Sequence, residues 1–210
     1  LMRGNIPRYL LLALLVNKTL SVVFFGLLSF WAMKEYVTIW DTRRVDHRAL
    51  IWVFLAIPVQ YNWVGTAWYG MFLIFIPVYM FLFLPIRLVL TGETSGFLAS
   101  SAKMQWGLMA FVFGLSHLAF LLNMPEVGNS GANGRSLLLF LVLITEMNDV
   151  LQYVWGKSCG KTKILPTVSP KKTWEGLLGG VLTTVLFSLG LRFLTPFGML
   201  PTVLIAFTVA

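Results

Sequence analysis

Apolar residues along this chain come in long uninterrupted blocks, and the blocks are the length a bilayer requires. The stretch from Tyr69 to Leu90, YGMFLIFIPVYMFLFLPIRLVL, holds one charge, Arg87, close to its end. About 20 such residues cross a hydrocarbon core of roughly 30 Å. The same reading predicts spans over about Thr19–Trp40, Ala49–Val64, Ala67–Leu90, Met104–Leu122, Leu137–Trp155 and Trp174–Leu194, with another starting near Gly198. A buried helix of a soluble protein accounts for one such run, not for five or six in succession. The predicted fold class is therefore all-α, a polytopic transmembrane helical protein of about six or seven spans. Ala49–Val64 is short for a span and reads as tilted, re-entrant or longer than drawn. Pro58, Pro77 and Pro85 fall inside apolar blocks, where each removes a backbone donor and favours a kink.

Composition agrees with the pattern. Hydrophobic residues make up 58% of the chain and charged residues 11%, against roughly 25% charged in soluble domains. Too little polar surface is left to coat a water-soluble particle, so the bilayer is the expected surrounding. One cysteine, Cys159, excludes an internal disulfide framework, and with only His47 and His117 beside it there is no Cys/His metal cluster. The net charge of +8 raises the question of nucleic acid. The bases, however, sit in short loops between spans, where they read as topology signals and phosphate contacts; no nucleic-acid partner is expected.

Alternation of spans puts loops 41–48, 91–103 and 156–173 on one side, with Arg43, Arg44, Arg48, Lys103, Lys157, Lys161, Lys163, Lys171 and Lys172. The other side has Arg135, with Lys18 and Arg192 near span ends. This bias makes the Lys-rich loop 156–173 cytoplasmic, in a multi-pass protein of a cell inner membrane. Tyr9–Val16 follows Arg3 and Arg8 as a signal peptide would, but no small-residue cleavage site follows. The final PTVLIAFTVA stops inside an apolar run, so the chain is expected to be cut within a helix.

Polar residues are costly inside spans and so mark function. The fifth block contains TEMNDVLQY, and helical spacing puts Thr145, Asn148, Asp149, Gln152 and Tyr153 on one broad face, with Glu146 at its edge or flank. Next comes GKSCGKTKILPTVSPKKTWEG, Gly156 to Gly176, with five lysines in 16 residues. Such a loop can surround phosphates with ammonium groups, though it lacks the order of a P-loop. Ser169 is the expected N-cap of the following helix, with Pro170 in its first turn and Thr173 or Glu175 in support. That helix N-terminus, beside Lys171 and Lys172, is a candidate anion site. A plain alternative is a positive-inside loop touching only lipid headgroups. Gly176, Gly179 and Gly180 read as close helix packing, Glu35 beside Lys34 as an interfacial charge, and His117 as a packing contact.

The run from Asp149 to Gly180, DVLQYVWGKSCGKTKILPTVSPKKTWEGLLGG, closely resembles the phosphatidate cytidylyltransferase (CDP-diacylglycerol synthase) family. The matching positions are Asp149, Tyr153, Gly156, Lys157, Gly160, Lys161, Lys163, Ile164 and Pro166. They continue with Ser169, Pro170, Lys172, Thr173, Glu175, Gly176, Gly179 and Gly180, and FWAMKEYVTI from Phe30 to Ile39 is similar to an earlier part of the family's membrane domain. The resemblance implies transfer of CMP from CTP to phosphatidic acid, giving CDP-diacylglycerol and pyrophosphate, with Mg2+ as cofactor. It nominates Asp149 and Lys172 as catalytic and Asp149 as the metal ligand. It nominates Asn148, Tyr153, Lys157, Lys161, Lys163, Ser169, Lys171, Thr173 and Glu175 as substrate-binding. A homodimer is compatible with it.

The family's acidic C-terminal signature, G-D-x-x-x-S-x-x-K-R and the segments after it, does not occur in these residues. The chain thus reads as a partial membrane domain over 1–210, expected to be inactive by itself. Its TEMNDV approach to Asp149 is more polar than usual and suggests a divergent branch. The competing readings are an inactive lipid- or nucleotide-binding accessory protein and, with less support, a transporter, which would spread polar residues through several spans.

Overall fold

A computed structural model describes residues 17–40, 42–90, 92, 95–125, 132–165 and 169–210. Arg3, Arg8, the segment Tyr9–Val16, and Pro166 lie outside the described residues. Among the described residues, five helices are long and apolar enough to cross a membrane. They are α1 (Lys18–Thr38), α2 (Arg44–Thr66), α3 (Tyr69–Val89), α4 (Phe97–Asn123) and α5 (Gly134–Cys159). A two-stranded antiparallel hairpin follows, β1 (Lys163–Leu165) and β2 (Ser169–Thr173), and then two shorter apolar helices, α6 (Trp174–Gly190) and α7 (Met199–Val209).

The expected count of six or seven spans is therefore corrected to five of spanning length. The block Trp174–Leu194 looked long enough because its apolar text continues, but the chain leaves the α-helix at Gly190 and makes a 3-10 turn over Arg192–Leu194. At 1.5 Å per residue, the 17 residues of α6 rise about 26 Å, short of a roughly 30 Å core. The hairpin is also a departure from an all-α chain, confined to the Lys-rich loop.

Other helices are longer than their apolar text. The short block Ala49–Val64 is part of the 23-residue α2, because its polar first turn is stabilised locally: the Arg43 N–H donates to Asp46 Oδ2 at 2.9 Å. The Arg43 side chain also pairs with Asp46 at 3.2 Å, donates to Ser100 Oγ at 2.7 Å and reaches the Ser95 carbonyl. That node ties the start of α2 to the start of α4, whose entry is turned by Gly96 at φ +66°. Pro77 lies in a π-helical turn over Phe75–Met80 that interrupts α3. Proline has no N–H and its ring crowds the preceding turn, so a local widening is the expected response. Just before the break, buried Gln60 Nε2 donates to the Phe72 carbonyl and to Ser116 Oγ, both at 3.1 Å. His117 is a packing contact as expected: its ring lies 4.7 Å from that of Phe72 and 4.4 Å from that of Phe113.

The chain divides after Asn123 into two compact units. In the first, α1 buries Ser21, Val22, Phe25, Ser29 and Met33, while Leu20, Val23, Leu27, Phe30 and Trp31 face outward. Ser29 meets Tyr61 of α2 at 2.8 Å. The second unit shows the same inversion more clearly. In α6 the buried stripe is Gly176, Gly180, Thr184 and Ser188, and the exposed residues are Leu178, Leu182, Leu186 and Phe187. In α7 Thr202 and Ala206 are inside and Leu200, Leu204 and Phe207 outside. Small residues inward and large apolar residues outward is the order that lipid, not water, selects.

Candidate functional site

The α5–α6 pair is held at close range by the absence of side chains. A Cβ at Gly180 would collide with Gln152 Cγ and lie 2.9 Å from the Gln152 backbone; one at Gly176 would lie 3.0 Å from Gly156 Cα. At Gly179 it would strike the Trp155 ring. The packing role expected for these three glycines is what the structure shows. The contact fixes the last two turns of α5 against the first turn of α6, and the hairpin closes over that end.

Between these elements is a cleft of about 770 Å³. Asp149, Tyr153 and Lys157 of α5 line it, with Lys163 of β1, Lys171, Lys172 and Thr173 of β2, and Gly176 and Leu177 of α6. Asp149, Tyr153 and Lys157 follow each other at intervals of four, so one face of α5 supplies all three. Pairing of Lys163 with Thr173 in the hairpin brings the β1 lysine to the start of α6. Four lysines thus share the wall with one carboxylate, Asp149. Ile164, a motif position in the sequence, and Leu177, which the sequence reading did not nominate, add apolar surface. Gln152, Gly156 and Gly160 also line the cleft; Gln152 was legible as part of the polar face, and the glycines as motif positions.

Four nominated residues lie off the cleft wall. Asn148 is buried and turned toward α7 and α6: its Nδ2 donates to the Ala210 carbonyl at 2.9 Å, and Thr184 Oγ1 donates to its Oδ1 at 3.4 Å. Ser169 stands opposite Leu165 in the hairpin. The N-cap is Thr173, whose Oγ1 accepts the Gly176 N–H at 3.2 Å. The expectation that Ser169 caps α6, with Pro170 in its first turn, is corrected, because strand pairing occupies the residues that the helix would have taken. Lys161 and Glu175 meet each other instead of the cleft. Glu175 Oε2 accepts the Lys161 N–H and the Thr162 N–H, each at 3.1 Å, and Oε1 accepts the Thr162 N–H at 3.2 Å. These donors, first its own backbone N–H and then that of Thr162, hold the Glu175 carboxyl down at about 2.

The open helix N-terminus expected as an anion site is therefore filled from within. The Trp174 N–H goes to the Thr162 carbonyl at 2.9 Å, that of Glu175 faces its own carboxylate, and that of Gly176 is taken by Thr173. The cationic groups on the cleft wall are lysine side chains. Among the described residues no group of three or more His, Cys, Asp and Glu converges on a metal position. Mg2+ is commonly held by one or two carboxylates together with substrate phosphates, and a lone Asp149 on the wall is compatible with that donor set.

A family model described as the cytidylyltransferase family matches residues 6–210. The uncharacterized protein YnbB of Escherichia coli (strain K12) is 43% identical over 186 residues, 88% of this chain and 60% of that protein. Phosphatidate cytidylyltransferase 2 of Rattus norvegicus is 32% identical over 114 residues, 53% of this chain and 25% of that protein. Phosphatidate cytidylyltransferase 1 of Homo sapiens is 32% identical over 108 residues, 50% of this chain and 23% of that protein. The chain thus spans about 60% of the length of YnbB and about a quarter of the two named enzymes.

Proposed function

The chain belongs to the cytidylyltransferase family, and from that premise we propose that the whole protein transfers CMP from CTP to phosphatidic acid. The products are CDP-diacylglycerol and pyrophosphate. The observation that carries this reading is one cleft lined by Lys157, Lys163, Lys171 and Lys172 together with Asp149 and apolar Ile164 and Leu177. Its flanking helices α5 and α6 are both apolar. Several phosphates and an acyl-bearing acceptor need that combination: cationic reach, a carboxylate, and an apolar wall continuous with lipid-facing surface.

In the reaction, an oxygen of the lipid phosphate attacks the α-phosphorus of CTP, and the bond from that phosphorus to the bridging oxygen breaks as pyrophosphate leaves. Negative charge grows on the departing oxygen, and ammonium groups placed in advance stabilise it more in the transition state than in the ground state. Lys172 is assigned to that charge, and Lys157, Lys163 and Lys171 to holding the triphosphate and the lipid phosphate. Thr173 fixes the start of α6 under them, and Tyr153 forms the lipid-side lip. Asp149 would hold Mg2+ together with the nucleotide phosphates. The ion supplies charge neutralisation and Lewis-acid polarisation of phosphoryl oxygens. The lysine bias of the loops supports a cytoplasmic position for this cleft, in a cell inner membrane.

The test is the purified whole protein in detergent with CTP, phosphatidic acid and Mg2+. Expected is CTP-dependent formation of CDP-diacylglycerol with matching pyrophosphate release. Binding of CTP and Mg2+ without product would overturn the reading and establish an accessory protein.

A further inference from the structure

Glu175 stands outside the cleft, yet it holds the chain segment that carries the cleft's lysines. Its carboxylate bridges the backbone amides of Lys161 and Thr162. The same Thr162 returns its carbonyl to the Trp174 N–H at 2.9 Å. Both polar groups of the Thr162 backbone are thereby fastened to the first turn of α6. Lys163 is the next residue, and Lys171 and Lys172 lie four and three residues before Glu175, so one side chain ties together the bases of both hairpin strands. Room for the clasp is made by Gly160, where a Cβ would collide with the Gly156 carbonyl and lie 2.7 Å from Thr173 Oγ1.

We propose that Glu175 is a positioning residue, which sets the phosphate-binding lysines by clasping the 161–162 backbone to α6 and makes no contact with substrate or metal. This rests on the cytidylyltransferase reading for what the lysines bind, but the clasp itself is a property of the chain. The work required of Glu175 is acceptance of amide hydrogens at a given reach. Charge is secondary, since one carboxamide oxygen in the place of Oε2 accepts both the Lys161 and the Thr162 amide. A residue touching Mg2+ or nucleotide would have the opposite requirement: charge first, and reach adjustable by a water.

Glu175→Gln and Glu175→Asp separate the two. Glu175→Gln keeps the reach and loses the charge; Glu175→Asp keeps the charge and falls one methylene short. In the whole protein in detergent, the clasp predicts that E175Q stays within about threefold of wild type. E175D should raise the KM for CTP about tenfold with a smaller change in kcat. Hydrogen exchange over residues 160–165 reads the clasp without any turnover: it should quicken in E175D and remain near wild type in E175Q. The reverse order, E175Q more damaged than E175D, overturns the proposal, as does unchanged exchange in E175D. A wild-type protein with no CTP-dependent turnover would remove the activity reading alone, since the exchange comparison still decides whether Glu175 holds this connection.

Discussion

Asn148 and Asp149 are consecutive on α5 but serve different neighbours: Asn148 is buried with its amide on the Ala210 carbonyl at 2.9 Å, and Asp149 lines the cleft. Substitution should separate them cleanly. Asn148→Ala takes from the buried Thr184 hydroxyl its acceptor on α5 and is expected to cost about 1–3 kcal/mol of stability, read as a lower Tm in detergent. Asp149→Asn should leave Tm near wild type and lower CTP turnover by about 100-fold or more, the size typical of losing one preorganised electrostatic group. A D149N protein with full turnover would remove Asp149 from the chemistry.

Gly180 tests the helix contact. Gly180→Ala puts a methyl into the Gln152 backbone and should destabilise by about 1–3 kcal/mol, as overpacking does. Gly190→Ala is the control: it has open space around its Cβ position and gains helix propensity, so it should be neutral or slightly stabilising. Equal Tm values for the two would contradict the close α5–α6 approach.

If lysine side chains hold the triphosphate as proposed, with no open helix N-terminus to help them, CTP binding should depend on ionic strength. Raising salt from about 0.05 to 0.5 M shortens the screening length severalfold, and the KM for CTP should rise with it. Lys157→Ala and Lys171→Ala should each raise KM about tenfold at low salt, since a hydrogen bond to a charged group is worth about 1.5–3 kcal/mol. Both variants should show a shallower salt dependence than wild type.

Acid should neutralise the Glu175 carboxylate late, weakening the clasp while leaving an acceptor oxygen in place. The folded carboxyl is held at about 2, below its usual 4.5, so the charge-assisted part of its contribution is complete above about pH 4.5 and fades as pH falls toward 2. The Lys161 and Thr162 amide resonances, followed by NMR in micelles, should move with a midpoint near the lower value. A midpoint at the usual value would mean that the carboxylate is free.

Cys159 is exposed at the end of α5 and is the chain's single cysteine, which makes it a ready reporter of orientation. A membrane-impermeant maleimide should label it in inside-out vesicles and spare it in right-side-out ones. Labelling only in the latter would reverse the proposed topology.

Hydropathy located the middles of the helices well, because long apolar blocks have few other uses in a short chain. The ends were hidden. α2 gains its first turn from Arg43 and Asp46, and α4 gains its own from Gly96 through Ser100; these are polar stretches made helical by local hydrogen bonds. In the cleft, Asp149 and four of the five motif lysines were legible as lining residues, while Lys161, off the wall, was not told apart from them. Thr173 and Ser169 were not distinguishable as caps, because each is a hydroxyl residue just before an apolar helix. The choice was made by pairing across the hairpin, which local propensity does not encode. The role of Glu175 was equally hidden, since its partners are backbone amides and any residue could have supplied them.

The amides at the start of α6 are all engaged by the chain itself, and this bears on how the cleft could follow a reaction. A cradle of peptide groups is cut to one phosphate shape and cannot travel. Ammonium groups on four-carbon stems move with their counterion. The same few lysines could greet an incoming triphosphate, close on it as the new phosphoanhydride forms, and escort the pyrophosphate outward, while the helices beneath them stay still.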